Sequence, residues 1–215
     1  MNTWLWLVEG PLFWFSLGVF VFGAIWKIVG LLRLGGPRAQ PAPRGSPAFG
    51  AIYTILRHFV PRRIFLSGAG LHVLAGYAFH LGLFVLLGFA APHVAFFGER
   101  LLGVSWPALP RWGFIVAAEF AFAGLVILWA MRISEPIQKL LSRPADHAAT
   151  WLTFLVMLSG CLALEEAHVS LRALHMTLVD IWLFWFPFSP LMHTFTFLFS
   201  RGFTGSAYGR RGVEI

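Results

Sequence analysis

Five stretches of mostly apolar residues, roughly 5–32, 64–91, 112–131, 149–164 and 172–199, constrain this chain more than any other feature. About 20 such residues are what a helix needs to cross the hydrocarbon core of a bilayer. The fourth stretch is short and reaches that length only with its neighbours. With 58% hydrophobic residues, 12% charged residues and a mean hydropathy of +0.75, the chain carries more apolar surface than a soluble core can absorb. The expected fold is therefore all-α: an integral membrane five-helix bundle, a single domain over residues 1–215. The one cysteine, Cys161, excludes an internal disulfide, and it excludes an iron–sulfur cluster or Cys-rich zinc site made by this chain alone.

Charge sets the orientation. Arg33, Arg38, Arg44, Arg57, Arg62 and Arg63 lie between the first two stretches, Arg132, Lys139 and Arg143 in the third gap, and Arg201, Arg210 and Arg211 in the tail. The other side holds only Arg100, Arg111 and Arg172. The positive-inside rule then predicts the N-terminus outside and the C-terminus in the cytoplasm. Because the basic residues punctuate apolar runs instead of forming a face, the net charge of +7 reports topology and not nucleic-acid binding. The opening MNTWLWLVEGPLFWF lacks a basic leader and a small-residue cleavage site, so a retained first helix is expected. Within the first basic loop, FGAIYTILRHF reads as an amphipathic interfacial helix. Trp106, Trp112 and prolines in the outer loop suit an interfacial belt and a turn.

Histidines inside such segments are costly unless partnered. His175 and His193 stand eighteen positions apart, about five helical turns, so on one straight helix they share a face about 27 Å apart along the axis. Two strong ligands at two depths point to two metal centres stacked across the membrane. Haem b fits, since bis-imidazole ligation takes one histidine from each of two facing helices. Pro187 is positioned to kink that helix. The second stretch supplies His72, His80 and His93, along with Gly68, Gly70, Gly76, Gly82 and Gly88, which let a macrocycle or a helix come close. Counted from Arg63 and Arg201, His72 and His193 both lie about 12–14 Å from the inner edge, which pairs them. His175 then pairs with His80 or with His93. At 100° per residue His80 is offset from His72 by about 80°, and His93 from His80 by about 140°, so His72 and His80 share a face better.

The order of five helices, the histidines on the second and fifth, and above all LHMTLVDIWLFWFPFSPLMH resemble the gamma (cytochrome b) subunit of respiratory nitrate reductase. Relatives of that subunit occur in heterodisulfide-reductase-like and sulfite-reductase-associated membrane complexes. The resemblance covers most of the chain; the two histidines separated by seventeen residues, with PFS before the second, are its specific part, and GYAFHLG is weaker. It implies that His175 and His193 each ligate one of two b haems. Local alignment sets His80 on the family's inner ligand, paired with His193, and leaves Ala90 where the outer ligand would fall. Either His93 replaces that ligand, or the register slips and His72 and His80 are the pair, or the chain holds a single haem. The expected iron ligands are thus His72, His80, His175 and His193, with His93 as the alternative.

Glu119, about 10 Å below the outer surface, and Asp180, five residues past His175, are expected at the outer haem's depth. A buried carboxylate is usually functional or paired, so either is a candidate to accept a proton from quinol, or to make a structural hydrogen bond. The resemblance implies electron transfer between membrane quinol or quinone and a cytoplasmic iron–sulfur partner, with quinol oxidised on the outer side, in the cytoplasmic membrane of a prokaryote. Arg57, Arg62, Arg63 and the tail suit docking of that partner. A haem-free scaffold, with the histidines, Glu119 and Asp180 forming a proton or ion path, is the competing expectation; a membrane anchor with haem as structural cement is a third.

Overall fold

The computed structural model describes residues 3–34, 42–60, 63–164 and 168–213, with the side chains of 63–68 and 99 outside the description. Arg38 and Arg62 therefore lie outside the described residues, as does the side chain of Arg63. In chain order the helices are α1 (Thr3–Glu9), α2 (Pro11–Arg33), α3 (Pro47–Arg57), α4 (Arg63–Phe89), α5 (Ala91–Val94), a π-helical turn (Ala95–Leu102), α6 (Arg111–Ser134), α7 (Pro136–Leu141), α8 (Pro144–Ala163), α9 (Val169–Trp185) and α10 (His193–Arg211). No strand occurs among the described residues. Among the described residues five spans are long and apolar enough to cross a membrane: Thr3–Arg33, Ala69–Phe89, Arg111–Ser134, Pro144–Ala163 and Val169–Phe188.

The fifth span differs from its expected course. The stretch 172–199 is not one helix: α9 stops at Trp185, short 3-10 turns cover Phe186–Phe188 and Pro190–Met192, and α10 starts at His193. Proline removes an N–H donor and forces the residue before it out of the helical region. Ser189, before Pro190, is accordingly extended at φ −112° and ψ 170°. Its hydroxyl donates to the Phe186 carbonyl at 2.9 Å and accepts from the Leu191 amide at 3.2 Å, so the break is stabilised by its own sequence. His175 and His193 thus sit on different helices. The shared face and the 27 Å axial spacing, which need one straight helix, do not hold, whereas His193 and Arg201, between which its depth was counted, lie together on α10. The second span is also interrupted: Ala69, at φ −127° and ψ 21°, kinks α4, and His93 lies beyond the helix end, on α5 behind Pro92.

The chain divides into two compact units, residues 1–5 with 63–178 and residues 6–62 with 179–215. In the first, α4 packs along α6. A Cβ at Gly82 would come within 2.6 Å of the Ala117 carbonyl oxygen, and one at Gly124 within 2.5 Å of the Ala75 carbonyl oxygen. Those two glycines let the backbones touch, which in lipid replaces the hydrophobic drive between helices. Ala117, Ala118, Ala121, Leu125, Leu86 and Met157 fill the core, with Phe122 and Phe154 edge to face beside them. In the second unit, Ala24, Phe186 and Met192 form the core with Phe20 and Phe195 around it, and Gly23 of α2 admits the ring of Pro187.

The expected amphipathic helix is α3. Ser46 caps it, accepting from the Phe49 amide, and Phe49, Ile52 and Leu56 are left exposed on one side. Its other side meets α10, where a Cβ at Gly50 would collide with the Gly205 carbonyl oxygen and the buried Thr54 rests on Gly205.

Candidate metal centre

Histidine can bind iron only through a ring nitrogen that carries a lone pair, and the partner of the other nitrogen decides which one that is. A carbonyl oxygen can only accept. Any ring nitrogen facing a carbonyl must therefore bear the hydrogen, which leaves the opposite nitrogen as the ligand atom.

His80 meets this condition, with Nδ1 donating to the Gly76 carbonyl one turn back at 2.7 Å and its ring against Phe79. His93 meets it too, its Nδ1 reaching the Leu86 carbonyl at 3.0 Å. His193 donates from Nδ1 to the Pro190 carbonyl at 2.9 Å, a bond created by the break before α10. In each case Nε2 is the nitrogen with the lone pair. His58 at the end of α3 makes the same bond to Thr54 at 2.7 Å, so the bond prepares a ligand without making one.

His175 reaches the same state by another route. Its Nδ1 lies 3.1 Å from the Ser159 hydroxyl, which donates its own hydrogen to the Val156 carbonyl at 3.0 Å. In that arrangement Ser159 accepts from Nδ1–H, the tautomer that leaves the lone pair on Nε2. Gly160 supports the placement, since a Cβ there would sit 3.0 Å from the imidazole Cε1. His93 lies within electrostatic reach of His175, and both belong to the first unit.

His72 differs. Gln138 donates from Nε2 to the Glu135 carboxylate at 2.6 Å, which fixes the orientation of its amide, and the same Nε2 lies 3.4 Å from His72 Nδ1. An amide nitrogen can only donate. His72 therefore accepts at Nδ1 and bears its hydrogen on Nε2, the reverse of the other four.

The glycines of α4 divide as well. Gly82 serves the contact with α6, whereas a Cβ at Gly70, Gly76 or Gly88 would meet nothing within 4 Å. Among the described residues no three His, Cys, Asp or Glu side chains group as a bare metal-ion site would require; haem iron needs only two axial imidazoles. Of the two carboxylates, Glu119 is exposed on the side of α6 that carries Ile115, Val116 and Phe120. Asp180 is buried at 3% exposure, and neither of its oxygens is hydrogen-bonded among the described residues. Ser159 and Gln138, which set the imidazole tautomers, were not singled out by the sequence reading. The only local signal for Ser159 was a hydroxyl beside a glycine in an apolar span.

A protein of Nitratidesulfovibrio vulgaris (strain Hildenborough) is 29% identical over 216 residues, an alignment covering 95% of this chain and 94% of that one; its name, "Protein", states no activity. No family model matches the chain. No solved structure matches it significantly.

Proposed function

We propose that this chain is the haem b subunit of a respiratory redox complex, holding two haems and passing electrons between membrane quinol or quinone and an iron–sulfur partner. The observation that carries the reading is the His93 and His175 neighbourhood: two imidazoles within electrostatic reach, each with Nδ1 committed as a donor and Nε2 left to bind iron. This favours His93 over His80 as the partner of His175. His80 in the first unit and His193 in the second each keep Nδ1 on a backbone carbonyl, the tautomer that the haem ligands implied by the resemblance to the nitrate reductase gamma subunit would need, while His72 is set for a different role. Haem b bound by two imidazoles supplies a one-electron ferric/ferrous couple.

The protein's part is to hold the rings in one tautomer and to keep water from them. Orientation follows the charge: the ends bearing Arg57, Arg132, Lys139, Arg143 and Arg201 face the cytoplasm of a prokaryotic inner membrane. There Arg57, Arg210 and Arg211 offer a basic surface to an acidic, cluster-bearing partner subunit. Quinol oxidation releases protons, and Asp180, buried with both oxygens unbonded, is better placed than the exposed Glu119 to be held ready for one.

The test is a reduced-minus-oxidised spectrum with pyridine haemochrome quantitation on the detergent-purified chain, expressed with haem in excess. Two b haems per chain, one of them lost in His93→Ala, are expected. Folded protein without haem would overturn the reading in favour of a haem-free scaffold or ion path.

A further inference from the structure

We propose that the cavity at the kink of α4 holds the headgroup of a membrane phospholipid that carries a primary amine, the phosphoethanolamine group of phosphatidylethanolamine. The proposal stands on a pair of opposite charges in the cavity wall and is independent of the electron-transfer reading above.

The cavity measures about 420 Å³, within the range of small-molecule sites. It opens at the non-helical Ala69, with α6 and α7 across from α4, all within the first unit. The lining holds one charge of each sign. Arg132 gives one N–H to the Ser142 hydroxyl at 3.2 Å, and Glu135 takes one hydrogen bond, from the Gln138 side-chain amide at 2.6 Å. Neither forms an ion pair among the described residues.

What remains for a ligand falls into two sets. The donors are the other N–H groups of the Arg132 guanidinium and the Nε2–H of His72, whose Nδ1 accepts from Gln138 at 3.4 Å. The acceptors are the second Glu135 oxygen and the Gln138 side-chain carbonyl. Ser142 is already committed, since it donates to the Gln138 backbone carbonyl at 2.6 Å while accepting from Arg132.

A ligand with a single charge would satisfy one of the two ionic groups and be repelled by the other. An uncharged ligand would leave both without a counter-charge. A zwitterion answers both, with its phosphate oxygens on Arg132 and His72 and its ammonium hydrogens on Glu135 and Gln138. Phosphatidylglycerol has the phosphate but no cation for Glu135. Phosphatidylcholine has a cation but no N–H to give. The position favours a lipid over a soluble zwitterion, because the cavity lies where the span Ala69–Phe89 begins and the span Arg111–Ser134 ends, the level of the headgroups. Beside it α7 exposes Ile137, Leu140 and Leu141 at 74%, 85% and 73%, apolar surface that acyl chains cover and a headgroup alone would not.

The experiment is native mass spectrometry of the full-length chain in detergent, with palmitoyl-oleoyl phosphatidylethanolamine, phosphatidylglycerol and phosphatidylcholine added in turn and haem measured on the same samples. One phosphatidylethanolamine should be retained about tenfold more tightly than either other lipid, the effect of one charge-assisted hydrogen bond. Glu135→Gln, which keeps an oxygen for Gln138 to donate to, should abolish that preference by weakening phosphatidylethanolamine and not phosphatidylglycerol. Arg132→Gln should weaken both together; if it fails to fold, Glu135→Gln gives the answer alone. Equal retention of the three lipids would overturn the proposal, as would a preference for phosphatidylethanolamine that survives Glu135→Gln. Displacement of the lipid by an equal concentration of water-soluble phosphoethanolamine would also overturn it, making the occupant a free zwitterion. A chain that keeps the lipid preference but binds no haem would support this proposal and remove the electron-transfer reading.

Discussion

The surroundings of His72 and of His175 make opposite use of the same side chain. At His175 the neighbour is a hydroxyl whose hydrogen is already committed to the Val156 carbonyl; at His72 it is an amide whose orientation is already committed to Glu135. In this arrangement one neighbour accepts and the other donates. The imidazole therefore keeps a lone pair on Nε2 in the first case and a hydrogen there in the second. Residue type alone does not decide which ring nitrogen carries the hydrogen; the second hydrogen bond out does.

The largest expected effect on this contrast is that of His175→Ala, which should remove one of two b haems entirely in the pyridine haemochrome assay, where His72→Ala removes none. Equal losses in the two variants would erase the distinction. Next is Gly82→Leu, which forces α4 from α6 where a Cβ already meets the Ala117 carbonyl. Haem retention should fall with that contact, and unchanged haem content would show that the histidines are held without it. Smallest is Ser159→Ala, which removes the acceptor for His175 Nδ1–H while leaving the ring in place. Haem retention should weaken about tenfold, the lower end of the effect of losing a group behind a metal ligand, with a shifted midpoint potential in a redox titration. Ser159→Thr should restore both, since its hydroxyl can make the same two bonds. Unchanged retention and potential in Ser159→Ala would show that the tautomer is set elsewhere.

Much of the architecture was legible because span formation is a local property. Apolar length fixes where a helix can cross, and proline and glycine mark where it cannot continue, so five spans and the amphipathic α3 are read directly. The break at Phe186–Met192 is a partial case. Pro187 announced a kink, but the separation of His175 and His193 onto two helices needed Pro187, Ser189 and Pro190 acting together. A spacing argument based on a straight helix could not survive that.

The sequence by itself determined that the chain is helical and apolar, with basic residues clustered in particular gaps between the apolar stretches, and that several histidines fall within those stretches. It did so because lipid imposes its demands on each segment separately. Only the tertiary structure decided that Ser159 stands behind His175, that Gln138 turns His72 the other way, and that His93 comes within reach of His175. Those relations join residues 16, 66 and 82 positions apart in the chain. Hydrogen-bond direction between such residues exists only once the helices have packed.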